Sequence, residues 1–150
     1  MIANLRKNER GVELVEFALV LPFLLLCCVG MIEFGRAYFT YNILTKAVRD
    51  GARFASADRI STTGVIPSGT VTNVQRVVVY GNTTGTGTPK LVGLSTAQVS
   101  VTPDRVSVSE QYITVGVAYS YAPLSRMIMP ASITLSPTVK MRFVGIIAAP

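Results

Sequence analysis

The first part of the chain changes from polar to strongly apolar within a few residues. Residues 1–11 are polar and basic, whereas an uninterrupted apolar stretch extends from Phe17 to Ile32. As a helix this stretch would be about 24 Å long, which is short of the roughly 30 Å hydrocarbon core of a bilayer. Apolar and aromatic residues continue beyond it, so we expect a transmembrane segment over about residues 14–36. The basic residues before it predict a cytoplasmic N-terminus and an exported remainder.

A helical period continues beyond the apolar stretch, and the charged residues lie largely off its apolar stripe. The stripe comprises Ala37, Tyr41, Leu44, Val48, Gly51 and Ala55. We therefore predict one long helix over 12–57, whose C-terminal half packs on the exported domain. Pro22 removes one backbone hydrogen bond from this helix and predicts a kink, which would serve packing or mark a place where the helix loosens on assembly.

Two sets of charges in this helix are spaced for ion pairs. Glu33 and Arg36 stand three residues apart, and Asp50 is placed to meet both Lys46 and Arg53. Side chains three or four residues apart are neighbours on a helix surface. We expect both sets to pair within the helix.

After Ile60 the composition changes to Ser, Thr, Gly and Val, with short apolar alternations that are typical of strands. Residues 70–80 fit a short helix or a strand, and we favour the helix; a Gly- and Thr-rich loop follows at 81–90. Strand-like segments then recur at 99–101, 106–109, 112–119 and 133–143. Pro123 ends the third of these, and residues 125–130 are predicted to form a connection or a short helical turn.

These elements predict an α+β, pilin-like fold. One long N-terminal membrane-spanning helix would pack, by its C-terminal half, on a small antiparallel β-sheet. The chain would then comprise a cytoplasmic leader at 1–11, the helix at 12–57 and an exported β-rich domain at 58–150.

Composition narrows the classes of function. The 150 residues suffice for one anchor and one small domain. Charged residues make up 15% of the chain and hydrophobic residues 49%, whereas soluble domains have roughly 25% charged residues, so a membrane or an assembly is indicated. The net charge of +6 comes with no nucleic-acid reader motif and no interleaving of aromatic and basic residues. We expect no nucleic-acid partner.

The residue types that carry chemistry are sparse. The sequence has no histidine and no tryptophan, and its carboxylates show no motif spacing. Residues 85–87 lack the GK[ST] ending of a phosphate-binding loop. Cys27 and Cys28 are adjacent, so a bridge would be strained and a metal site would lack further ligands; we expect buried, small hydrophobic side chains. We predict no enzymatic activity, no cofactor, no metal and no small-molecule substrate.

Glu16 is the anomaly in the apolar part of the chain, because it lies at the edge of the apolar stretch and is followed directly by Phe17. A charge at membrane depth is costly, so an acid there needs a partner or a task. Alternatively, its carboxylate reaches back to interfacial water. The residue by itself leaves both interpretations open.

The surroundings of Glu16 resemble the processing site of Flp-type prepilins. Gly11-Val12-Glu13-Leu14-Val15-Glu16-Phe17 presents a glycine separated by four residues from Glu and an aromatic, although the aromatic is Phe instead of the Tyr usual in the major pilin. The wider stretch 10–56, notably VEFALVLP, IEFGR and AVRDGAR, is similar to the N-terminal region of TadE-like pseudopilins of the Tad pilus assembly system.

The resemblance implies a site, partners and a location. A membrane prepilin peptidase would cut between Gly11 and Val12, and Glu16, beside Phe17, would neutralise the new α-amino group in its own chain or a neighbouring one. Other pilins or pseudopilins, the inner-membrane platform of the Tad system and membrane lipid would be its partners. The chain would cross the bacterial inner membrane once, with its C-terminal domain outside the cytoplasm, or enter the pilus.

Two other functions are alternatives to a processed pseudopilin. One is an unprocessed, membrane-anchored binding domain of a secretion apparatus or the envelope, and the other is a secreted enzyme released by signal peptidase.

Overall fold

The computed structural model describes residues 3–57, 60–61, 66–105, 111–124, 131–143 and 147–148. The chain divides into two compact units. The first comprises Met1–Ala37 with Pro123–Ala131, and the second comprises Tyr38–Ala122 with Ser132–Pro150. The long N-terminal helix contributes residues to both.

This helix, α1, extends over Ala3–Ala57 and includes Pro22. Its end agrees with the prediction, but it begins at Ala3 and not at Val12. The polar leader contains Ala, Leu, Lys, Glu and two Arg, which favour helix, and one glycine at position 11 costs only about 1 kcal/mol in a helix. That cost is too small to end the helix at Gly11.

The apolar part of α1 is exposed. By length and composition, Gly11–Ala57 is the one candidate membrane span among the described residues, and its most apolar window is 0% buried. Leu19, Phe23 and Met31 are each at least 75% exposed. Leaving such a side chain in water forgoes about 1.5–3 kcal/mol of burial, so this surface is compatible with a membrane anchor.

Cys27 and Cys28 are free thiols and are exposed. The prediction that they are buried is therefore wrong for this chain on its own. The reason is that no other described element covers this stretch of α1, so apolar character alone does not bring burial inside the protein.

The second half of α1 packs as the periodic stripe predicted. Leu44, Val48 and Ala55 are each 0% exposed. The charged positions 46, 49 and 53 are exposed, which confirms that they lie off the packed face. Tyr41 is the exception, since it remains 43% exposed.

The second helix, α2, extends over Ser68–Tyr80 and confirms the favoured reading of residues 70–80. The helix ends at the cap residue Gly81, which has a φ of +81° and whose N–H donates to Val77 O at 2.9 Å. Glycine adopts this left-handed cap without the steric cost that other residues incur. The helix buries Val74, Val78 and Val79 against α1 and the strands, so burial decides in favour of helix despite the β-branched residues.

The strands form three small groups. A parallel pair joins β1, Ile60–Ser61, to β7, Ile147–Ala148. The main antiparallel sheet has the order β2-β3-β6, with strands Val99–Arg105, Gln111–Val117 and Thr138–Arg142. The third group is the antiparallel pair of β4, Tyr119–Tyr121, and β5, Ile133–Leu135. The antiparallel sheet and its packing on the long helix confirm the predicted α+β fold.

Two predicted strands are each divided in the structure. The segment 112–119 is interrupted at Ala118, whose N–H donates to Gln98 O at 3.0 Å. The segment 133–143 is interrupted at Ser136 and Pro137, because proline has no N–H to donate and its carbonyl accepts from Val117 N at 3.2 Å. The predicted strand at 106–109 and the connection at 125–130 lie outside the described residues.

The core of the second unit joins α1, α2 and the main sheet. Its buried side chains are Leu44, Ala47, Val48, Ala52, Ala55, Ile66, Val74, Val78, Val79, Leu94, Val99, Ile113, Val115 and Val117. Polar contacts tie α2 to the strands as well: Gln75 Nε2 donates to Val99 O at 3.1 Å. The helices α1 and α2 approach each other closely at Gly51, where an added Cβ would collide with Val78 Cγ2 and lie 3.5 Å from Val74 Cγ1.

We expect Gly51→Ala to lower the free energy of unfolding of the second unit by about 1–3 kcal/mol, because Val78 is fully buried and cannot move aside. The helix propensity of alanine would offset at most about 1 kcal/mol of this. Urea unfolding of the full chain in detergent micelles, followed by tyrosine fluorescence, measures the change. Gly69→Ala is the matched control, since a Cβ at Gly69 meets no atom within 4 Å. Equal stability of the two variants would contradict the packing argument.

Candidate functional site

The predicted processing site lies on an exposed part of α1. A Cβ added at Gly11 meets no atom within 4 Å, and Val12 is 67% exposed. Because a glycine inside a helix costs about 1 kcal/mol relative to alanine, the helix is easier to open locally at this position than at its neighbours. The Gly11–Val12 peptide bond is therefore accessible in the structure, within a helix that must unwind locally to present an extended chain.

Glu16 shares one open face of α1 with the predicted cleavage point. This face is lined by Gly11, Val12, Val15, Glu16 and Leu19. Val12 and Glu16 are four residues apart, so an amino group created at Val12 would lie one helical turn from the Glu16 carboxylate. No described ion pair involves Glu16, and Phe17 beside it is 57% exposed. The carboxylate is thus available to a cation from the same chain or another.

Pro22 follows within the exposed apolar part of α1. Proline lacks the N–H that would bond to the carbonyl four residues earlier, which here belongs to Ala18. The position is compatible with the predicted kink, which stays a prediction.

Glu33 is a buried carboxylate further along the same helix. It is 3% exposed, and its Oε1 accepts a hydrogen bond from Leu124 N at 2.9 Å. Its Oε2 lies 3.7 Å from Arg36 Nη1, which confirms the predicted pair. This carboxylate therefore joins α1 to the segment that begins at Pro123, within the first unit.

Of these two contacts, the hydrogen bond from the Leu124 backbone is the stronger. The Arg36 side chain is 45% exposed, so water screens the ion pair and its contribution is at most about 1 kcal/mol. A hydrogen bond to a charged group contributes about 1.5–3 kcal/mol, and a buried carboxylate without partners would cost several kcal/mol. Burial at Glu33 is thus tolerated because the Leu124 amide and the Arg36 guanidinium both face it.

The sequence did not indicate this contact, since 91 residues separate its partners. The available signal was an acid in an apolar context, which implies a partner without identifying it. Asp50 gives a similar correction: its Oδ2 lies 3.2 Å from Lys90 Nζ, and no described ion pair joins it to Lys46 or Arg53. In both cases the long-range partner depends on the fold.

In the part of the chain that the structure describes, no group of three or more His, Cys, Asp or Glu side chains could hold a metal ion. The remaining charged contact of note joins Lys140 of β6 to Asp104 of β2, across the central strand β3. Lys140 Nζ also lies 4.8 Å from the centre of the ring of Tyr112, a residue of β3. These are surface contacts of the sheet.

We expect Glu33→Ala to accelerate hydrogen exchange at the Leu124 amide by about 10- to 100-fold, since a lost hydrogen bond of about 1.5–3 kcal/mol corresponds to such a factor. Glu33→Gln keeps an acceptor oxygen and should have a smaller effect. Arg36→Gln is the control, because it removes the screened ion pair and leaves the Glu33 carboxylate in place. Exchange measured by mass spectrometry on the full chain in nanodiscs gives the result, and equal rates in all variants would contradict the assignment.

The chain was compared with known proteins. The family model described as TadE-like protein matches residues 11–53, which include Gly11, Glu16 and Glu33. Comparisons with curated proteins and with solved structures returned no match. The N-terminal segment 11–53 is therefore TadE-like, as the succession of motifs along α1 predicted.

Proposed function

We propose that the chain is a noncatalytic, pseudopilin-like component of Tad pilus biogenesis that a prepilin peptidase processes between Gly11 and Val12. The observation that carries the proposal is the TadE-like match over residues 11–53, which begins at that glycine and extends along the exposed apolar helix. The exposure of Gly11 and Val12 supports access by the peptidase.

The proposed location is the bacterial inner membrane. The apolar part of α1 would cross the bilayer once, with residues 1–11 in the cytoplasm and the second unit outside it. The basic residues 6, 7 and 10 support this orientation, since positive charges near a span favour its cytoplasmic side. The chain would then act in pilus assembly, at initiation or at the tip, with other pilins or pseudopilins and the inner-membrane platform as partners.

Cleavage would convert a neutral peptide nitrogen of Val12 into a positive α-amino group. Two charges then lie at the edge of the apolar segment, and pairing them offsets part of the cost of taking each one away from water. In the same chain, Glu16 stands one turn from Val12 and is favoured there by the positive end of the helix dipole. In a neighbouring chain the same pair would fix the axial register of two packed helices.

Gly11→Leu should block processing, because the larger side chain adds bulk next to the bond to be cut. Mass spectrometry of the chain from cells with and without the peptidase measures this. The wild-type mature chain should begin at Val12, and Gly11→Leu should retain residues 1–11. Gly30→Leu is the matched control, since a Cβ at Gly30 also meets no atom within 4 Å, and it should be cut as the wild type is. An intact leader in both strains would defeat the processing claim and favour the unprocessed binding domain.

Glu16→Ala should impair pilus assembly more than membrane insertion. The substitution makes the anchor more apolar, which favours insertion, while it removes the proposed partner of the new amino group. We expect at least about tenfold fewer pili, the factor that about 1.4 kcal/mol of lost pairing produces. Pili are counted by electron microscopy and the chain is quantified in membranes. Glu13→Ala, an acid on the same exposed segment, is the control; an equal loss of pili in both variants would contradict a specific role for Glu16.

A further inference from the structure

Three cations on one face of α1 form a basic cluster in the second unit, Lys46, Arg49 and Arg53. Their spacing of three and four residues places them side by side on the helix surface. All three are exposed, and none of the ion pairs among the described residues involves them. The acid next to them, Asp50, is held by Lys90 at 3.2 Å. The cluster is therefore not neutralised within the described part of the chain.

The basic cluster lines a small cleft. The cleft has a volume of about 210 Å³ and is lined, among the described residues, by the three cations, Asp50 and Met141 of strand β6. Small-molecule sites commonly have volumes of about 300–1,000 Å³, so this cleft has room for one or two side chains and not for a cofactor. The thioether of Met141 adds an adaptable apolar contact to the cationic wall.

The distribution of charge shows what kind of partner fits. Residues 38–150 contain ten Lys and Arg and four Asp and Glu, whereas residues 1–37 contain four of each. The whole net charge of +6 thus belongs to residues 38–150. A second copy presenting the same domain would be repelled by it, because like charges across an interface are unfavourable. The complementary partner carries negative charge.

We propose that this cleft binds carboxylate side chains of an acidic segment of a different protein. Arginine forks match carboxylates in two-point hydrogen bonds, and Arg49 and Arg53 stand four residues apart on one face. Lipid phosphates are disfavoured, since Lys46 lies ten residues beyond the predicted end of the transmembrane segment at residue 36, about 15 Å along the helix. The headgroup layer adds only about 5–8 Å to each side of the hydrocarbon core. Nucleic acid is disfavoured because none of the lining residues is an aromatic on which a base would stack.

The test measures binding of a fluorescein-labelled peptide of alternating Glu and Leu to the full chain in detergent micelles, by fluorescence anisotropy. The matched variants are the double variant R49Q/R53Q and the double variant K140Q/R142Q, which remove the same amount of charge. Lys140 and Arg142 flank Met141 on β6 and therefore point to the opposite face of the strand. We expect R49Q/R53Q to weaken binding at least about tenfold and K140Q/R142Q less than about threefold, because only the first pair contacts the bound carboxylates.

Four results would overturn the proposal. Equal weakening by both double variants would mean that the peptide responds to the overall positive charge of the domain and not to this cleft, and equal binding of a peptide with Gln in place of Glu would exclude carboxylate recognition. Tighter binding of a DNA duplex, or of phosphatidylglycerol vesicles, than of the acidic peptide would point to a different class of partner. Thermal unfolding followed by circular dichroism establishes that both variants fold, and all the substituted side chains are exposed. The proposal does not depend on processing at Gly11, so an uncleaved chain that binds the peptide would leave it intact.

Discussion

The close approach of α1 and α2 at Gly51 is the constraint from which the packing of the second unit follows. Without a side chain there, Val74 and Val78 of α2 reach the surface of α1, and the buried faces of both helices then meet the valines and Ile113 of the main sheet. Because protein interiors are close-packed, even one added methyl group at this point has to displace a buried neighbour. The short strands need this support, since small isolated strand pairs are only marginally stable in water.

Along α1 the same helical backbone serves two environments. Up to about residue 37 its large apolar side chains are exposed, as suits a lipid-facing helix, whereas from Leu44 onward one stripe is buried in protein. Glu33 lies near the end of the exposed part, and its burial is compensated by a backbone donor from Leu124. A carboxylate in such a place is stable only with its partners, which makes it a specific contact and not a general solvated charge.

The charged groups along α1 lie in three different environments. Glu16 is exposed beside the proposed new amino terminus, Glu33 is buried and paired, and the basic cluster is exposed and unneutralised among the described residues. The family match covers all three, since it extends over residues 11–53. Electrostatic pairing gives register and partner choice more than raw affinity, so these positions suit a protein that works by assembly.

The sequence by itself determined the long helix, its apolar and amphipathic parts, the antiparallel strands and the TadE-like segment, because helical and strand periods and local motifs are read from neighbouring residues. It also predicts cleavage of the Gly11–Val12 bond and a pairing role for Glu16, which stay predictions. Only the tertiary structure decided that Cys27 and Cys28 are exposed, that Pro137 divides the last strand, and which partners Glu33 and Asp50 take. Those outcomes depend on which segments far apart in the sequence come into contact, and no local sequence pattern specifies those contacts.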